Sequence, residues 1–187
     1  FSIAETGSFA LGEGATNSLD NNVAIGKNAI GAGSHNVAMG NSADSNAGSY
    51  NVAIGSGAQT ANSFGIAMGG SAYAAGSTIA IGHSSIGGTN TISIGYNTGH
   101  TSGEDNILIG YLAGNSTSGN KNIIFGSGSL GGAIDNQLRI GHANLATISG
   151  SLATGDVHIY NTASAAVFSG STYYGDGSNL TGISSGG

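Results

Sequence analysis

The chain has 187 residues, of which 36 are Gly, none Pro or Cys, and only 6% charged, against roughly 25% charged in an average globular domain. Nine carboxylates outweigh three basic residues, Lys27, Lys121 and Arg139, for a net charge of −6, so no basic stripe is present to hold nucleic acid. The absence of Cys excludes a disulfide scaffold, and no run of ~18 apolar residues supplies a span for a membrane. The opening Phe1-Ser2-Ile3-Ala4-Glu5 does not read as a signal peptide, so a fragment or a processed chain is expected.

From Phe9-Ala10-Leu11-Gly12 to Leu138-Arg139-Ile140-Gly141 the pattern apolar, small, apolar, Gly recurs ten times. The closing glycines, Gly12, Gly26, Gly40, Gly55, Gly69, Gly82, Gly95, Gly110, Gly126 and Gly141, are spaced by 14, 14, 15, 14, 13, 13, 15, 16 and 15 residues. Low complexity here is repetition, because Val, Ile and Leu recur in register, unlike in disordered segments. In Asn51-Val52-Ala53-Ile54-Gly55 the alternation predicts a short strand. The glycine turns the chain at φ > 0, and Ala58-Gln59-Thr60-Ala61-Asn62 returns it. Two short strands and two turns make one coil of a narrow parallel β-roll, and ten coils stacked at ~4.7–4.9 Å stand roughly 45 Å tall.

Equivalent residues then form columns. The pairs Val23/Ile25, Val37/Met39, Val52/Ile54, Ile66/Met68, Ile79/Ile81, Ile92/Ile94 and Ile107/Ile109 are expected to fill the interior. Asn22, Asn36, Asn51, Asn106 and Asn122 share a column where amides bond along the stack. A small residue follows each glycine by three: Ala15, Ala29, Ala43, Ala58, Ala72, Ser85, Thr98, Ala113, Ser129 and Asn144. The column between the apolar pairs reads Ala10, Ala24, Ala38, Ala53, Ala67, Ala80, Ser93, Leu108, Ile124, Arg139. Placed opposite the interior, it should be polar if it met water. It is therefore read as a subunit interface formed by Ala24, Ala38, Ala53, Ala67, Ala80, Leu108 and Ile124, its residues growing toward the C-terminus as if the subunits splay or the axis widens. Copies of Arg139 approaching one another in that column call for a partner such as Asp135, within or between subunits, unless the roll has already opened and Arg139 reaches water.

The repeat pattern at Asn22-Val23-Ala24-Ile25-Gly26, Asn36-Val37-Ala38-Met39-Gly40 and Asn51-Val52-Ala53-Ile54-Gly55 resembles the head repeats of YadA-like trimeric autotransporter adhesins. The resemblance covers about residues 9–141 and weakens after Gly82, where Ser93, Leu108, Ile124 and Arg139 replace Ala. It implies a left-handed roll, three chains side by side, and adhesive outer surfaces. After Gly141 the period dissolves through Leu145-Ala146-Thr147-Ile148, Asp156-Val157-His158-Ile159-Tyr160 and Ala165-Ala166-Val167-Phe168. The tract Tyr174-Gly175-Asp176-Gly177-Ser178-Asn179-Leu180-Thr181-Gly182-Ile183 is similar to segments of bacteriophage tail fibres. The expected organisation is a homotrimeric all-β roll over 1–141 and an irregular β fibre segment over 142–187 that leads to a further C-terminal region.

Little in the chain suggests catalysis or a cofactor. His35, His83, His100, His142 and His158 lack metal-ligand spacing, and no Cys joins them. Glu104-Asp105 lies in the turn Thr101-Ser102-Gly103-Glu104-Asp105, and Gly12-Glu13-Gly14 and Gly126-Ser127-Gly128 precede no helix that would bind phosphate. Calcium-binding nonapeptide rolls need an Asp in nearly every turn; nine scattered acidic residues do not supply it. Acyltransferase solenoids have longer coils, and ice-binding solenoids need a Thr-x-Thr column that is missing here. The expected function is therefore non-enzymatic: a structural and host-cell-attachment module of a phage tail fibre or similar virion appendage. The alternatives are the head of a bacterial trimeric adhesin at the cell surface, and an extracellular spacer that binds nothing.

A receptor would be a host cell-surface glycan or protein. One residue after each glycine the column reads Glu13, Lys27, Asn41, Ser56, Gly70, His83, Tyr96, Tyr111, Ser127, His142. Tyr96 and Tyr111, with His83 behind them, form an aromatic stripe at an exposed corner, suited to the apolar face of a sugar, although such rings also stabilise a ladder by themselves.

Overall fold

A computed structural model describes residues 6–99, 103–115, 119–128, 134–143 and 145–160. The expected Ala165–Phe168 and Tyr174–Ile183 segments, and with them His100, Ser129 and Asn144, lie outside the described residues.

The described chain is a β-solenoid without a helix. Its main sheet has twelve strands. One comes from each repeat, from Phe9–Leu11 through Val23–Ile25, Val37–Met39, Val52–Ile54, Ile66–Met68, Ile79–Ile81, Ile92–Ile94, Ile107–Ile109 and Ile123–Ser127 to Gln137–His142. These pair in parallel and in strict register, Val23 on Val37 on Val52, Ala24 on Ala38 on Ala53, and mark off nine turns. The return legs form shorter parallel ladders, Thr16–Asn17 on Ile30–Gly31 and Gln59–Thr60 on Tyr73–Ala74 on Ile86–Gly87, linked by a single bridge residue at Asp44.

The faces of the strand are the reverse of the expectation. Ala24, Ala38, Ala53, Ala67 and Ala80 are each 0% exposed within a single chain, so they line its core and cannot be the subunit interface. The Val and Ile pairs flanking them point outward and remain half-exposed, with Leu11, Met39, Met68 and Phe125 among the exposed large side chains. The reason is the width of the coil. Ala53, Ala67 and Ala80 pack directly against Ala58, Ala72 and Ala74 of the return leg, and a cross-section this narrow admits two methyl groups but not two branched chains.

The growth to Leu108 and Ile124 has the same origin and does not reflect splaying subunits. Both are buried within one chain, together with Ala113. Leu108 is admitted because Gly99 and Gly114 stand opposite: a Cβ on Gly114 would lie 2.8 Å from Leu108 Cδ2.

Two features hold the stack in register. The repeat glycines lie at φ from 125° to 141° for Gly12 through Gly126, and a Cβ on Gly26 would strike the carbonyl oxygen of Gly40 in the next coil. Only Gly combines that backbone angle with that approach. The Asn column works through the backbone: Asn22 Oδ1 accepts from Asn36 N at 2.9 Å, Asn36 Oδ1 from Asn51 N at 2.8 Å, and Asn51 Oδ1 from Gly65 N at 2.8 Å. Their Nδ2 groups donate to return-leg carbonyls, Asn22 to Gly31 and Asn51 to Ser45, both at 3.0 Å. Thr78 and Thr91 then occupy the column, and Asn106 and Asn122 resume it, Asn106 Oδ1 accepting from Asn122 N and Asn122 Oδ1 from Gln137 N, each at 2.8 Å.

The roll ends at Gln137–His142, where the chain reverses into antiparallel Leu145–Ser151 and Val157–Ile159, with a register shift between Ile140 and Gly141. The inner column continues into this open sheet as the cross-strand row Arg139, Ser149, His158, while Ile140, Ile148 and Ile159 extend the outer face. Arg139 therefore reaches water and has no ion pair among the described residues. Within the chain Asp135 does not pair with it; its Oδ1 accepts instead from Asn120 N at 2.6 Å.

Candidate functional site: two exposed aromatic ladders

Strict register brings every residue of a column above its equivalent in the next coil, so an aromatic side chain repeated at the coil period becomes a stack. His83, Tyr96 and Tyr111 do so at the corner following the main strand. Ring centroids lie 5.4 Å apart at both steps, with interplanar angles of 10° and 13°. Tyr96 and Tyr111 are 50% and 55% exposed. The three residues that the period aligns in one column thus do stand together.

The stacking changes what the stripe can offer a ligand. Both faces of Tyr96 are covered, by His83 and by Tyr111. His83 in turn lies over Gly70, where an added Cβ would come within 3.1 Å of its ring. The free faces of such a stack are at its ends, and Tyr111, followed in its column by Ser127, has the open one. The inner rings present edges, which attract oxygen atoms rather than apolar surfaces.

A second ladder, which the repeat pattern does not single out, lies at the other end of the strand. His35 stacks on Tyr50 at 4.9 Å and 14°, and Tyr50 on Phe64 at 5.5 Å and 0°. Tyr50 is 56% and Phe64 62% exposed. Its trace in the sequence is that each ring immediately precedes the Asn column, in His35-Asn36, Tyr50-Asn51 and Phe64-Gly65. A serine precedes each ring and ties the corner together: Ser34 N donates to Ser49 Oγ at 3.3 Å and Ser49 N to Ser63 Oγ at 3.0 Å.

Charge contributes little at either corner. Lys27 Nζ reaches Glu13 Oε2 at 3.2 Å across adjacent coils, but both are well exposed, and such pairs stabilise by at most ~1 kcal/mol. Among the described residues no group of three His, Asp or Glu converges on one point. A shallow depression on the open C-terminal sheet is lined by Gln137, Arg139, Ser149, Asp156, His158 and Tyr160, with Ser149 Oγ donating to Tyr160 Oη at 3.1 Å. Comparison with known proteins returns no match: no family model fits the chain, and no curated protein or solved structure is found similar to it.

Proposed function

We propose that the protein is a structural and host-cell-attachment module of a trimeric fibre, a phage tail fibre or a similar virion appendage, with no catalytic role. The observation that carries this reading is the outward apolar face. Two columns of Val, Ile, Leu, Met and Phe run down ten stacked strands, and past the end of the roll one continues through Ile148 and Ile159 while the other passes Gly150 to Val157. Monomeric soluble proteins rarely leave so long a contiguous apolar patch uncovered. Copies of the same chain, laid side by side in register, would cover it along the full length, as closed symmetry favours.

The subunit contact thus moves from the Ala column to the Val and Ile columns, and the trimer number rests on the resemblance of the repeats. A roll that is stiff, nearly uncharged along its length and repetitive suits a fibre that holds an attachment surface away from its base. Tyr96, Tyr111 and His83 are the first candidates for that surface, with the open face of Tyr111 as the contact. Purified chain should compete with fibre-mediated adsorption to host cells, and the double variant Tyr96→Ala/Tyr111→Ala should compete less well. Equal competition by the variant would move the receptor site elsewhere, and no competition by the parent would leave the spacer reading.

A further inference from the structure

The corner that carries the second ladder is a left-handed position in almost every coil: Asn21 at φ 59°, His35 at 61°, Tyr50 at 61°, Phe64 at 64°, Asn90 at 56°, Asp105 at 57°, Lys121 at 58° and Asn136 at 58°. Asn and Asp suit that conformation because a short polar side chain bonds locally, whereas a bulky ring there is an outlier. Phe64 is the extreme case, an apolar ring in a strained conformation that buries little of itself. Stacking does not account for it, since only one of its faces meets Tyr50. Strain held at an exposed position points to a function at that position.

The column breaks immediately below Phe64. The coil between Gly69 and Gly82 is 13 residues long, and its corner is Gly76-Ser77, with Ser77 exposed and outside the left-handed set. The next occupant is Asn90, whose Nδ2 donates to Asp105 Oδ1 at 3.1 Å. Phe64 and Asn90 are thus two coil steps apart, about 9.5 Å, with one rung missing between them. The upper wall of this notch is an open aromatic face, its floor is Gly76 and Ser77, and its lower wall is the Thr89-Asn90 corner backed by Asp105. Asn62, whose Nδ2 donates to Ala75 O at 3.0 Å, lies beside Gly76 together with Thr89.

We infer that this notch is a sugar subsite that takes one neutral pyranose ring, its apolar face on Phe64 and its hydroxyls on Asn90 and Thr89. An aromatic platform with a few convergent polar groups is the usual make-up of a small-ligand site. The carboxylate at the lower wall and the net charge of −6 select against acidic sugars. The subsite rests on the attachment reading and supplies its ligand class.

Saturation-transfer NMR on the full chain tests it, with glucose, galactose, N-acetylglucosamine and glucuronate as separate probes. A neutral sugar should receive saturation and glucuronate should not. Phe64→Asn should weaken that binding about tenfold, the loss of one ring contact, while melting no lower than the parent, because Asn is what the column uses at Asn21, Asn90 and Asn136. Lys27→Ala, on an exposed side chain remote from the notch, should bind as the parent does. Unchanged binding in Phe64→Asn, or no transfer to any neutral sugar, would overturn the subsite, as would a lowered melting point with binding intact. Adsorption to host cells is measured in parallel. A parent that adsorbs without transfer contradicts the subsite alone, and transfer without adsorption supports the subsite and contradicts the attachment reading.

Discussion

Between Ile124 and Arg139 the protein passes from a closed roll to an open sheet, and its two faces respond differently. On the inner column the residues change at once: Ala24 through Ile124 are buried, and the next rungs are Arg139, Ser149 and His158. On the outer face one column stays apolar throughout, Phe125, Ile140, Ile148 and Ile159, while the other runs Ile123, Leu138, Gly150 and Val157, losing its side chain for one rung only. The inner column is therefore governed by enclosure within one chain. The outer face keeps its apolar character where enclosure has ended, so enclosure within one chain does not account for its composition.

This contrast can be broken most severely by moving the residue of the open sheet into the closed roll. Ala53→Arg places an unpaired charge in a fully enclosed coil and should cost more than about 4 kcal/mol, enough to abolish the cooperative melt followed by circular dichroism. Leu108→Ala empties the space that Gly99 and Gly114 leave for it and should cost about 3 kcal/mol in a denaturant titration. Asn51→Ala strips the Gly65 N–H and the Ser45 carbonyl of their partners, and about 2 kcal/mol should be lost by the same measurement. Arg139→Ala, in the same column as Ala53 but beyond the roll, should change stability by less than about 0.5 kcal/mol. A loss at Arg139 comparable to that at Leu108 would mean that the column is still enclosed there.

Much of this architecture is legible in the amino-acid sequence. The glycine spacing defines the coils, and Asn22-Val23-Ala24-Ile25-Gly26 locates both strand and turn because φ near 131° at Gly26 and the backbone approach of Gly40 tolerate no other residue. The alternation of Val23, Ala24 and Ile25 separates two faces but does not say which is inside. The rule that larger apolar residues are buried gives the wrong answer here, since in so narrow a coil volume decides, and only Ala fits against Ala. The small residues Ala29, Ala43, Ala58 and Ala72 carry that information, because a return leg of methyl groups leaves no depth for branched partners. The Tyr96–Tyr111 stack follows from the period alone. The ladder of His35, Tyr50 and Phe64 is hidden because its column otherwise holds Asn, Asp and Lys, so the aromatic segment interrupts a polar corner instead of extending an apolar pattern.

The central claim is that alanines fill each roll while the Val and Ile columns meet other copies of the chain. Sedimentation equilibrium on the parent and on Ile54→Glu tests it most directly. The parent should sediment at three times the 18.0 kDa chain mass, and the Glu substitution, on a side chain that is half-exposed in a single chain, should shift the population toward one chain mass while the circular dichroism of the roll persists. A parent that sediments as one 18.0 kDa chain at every concentration would contradict the account.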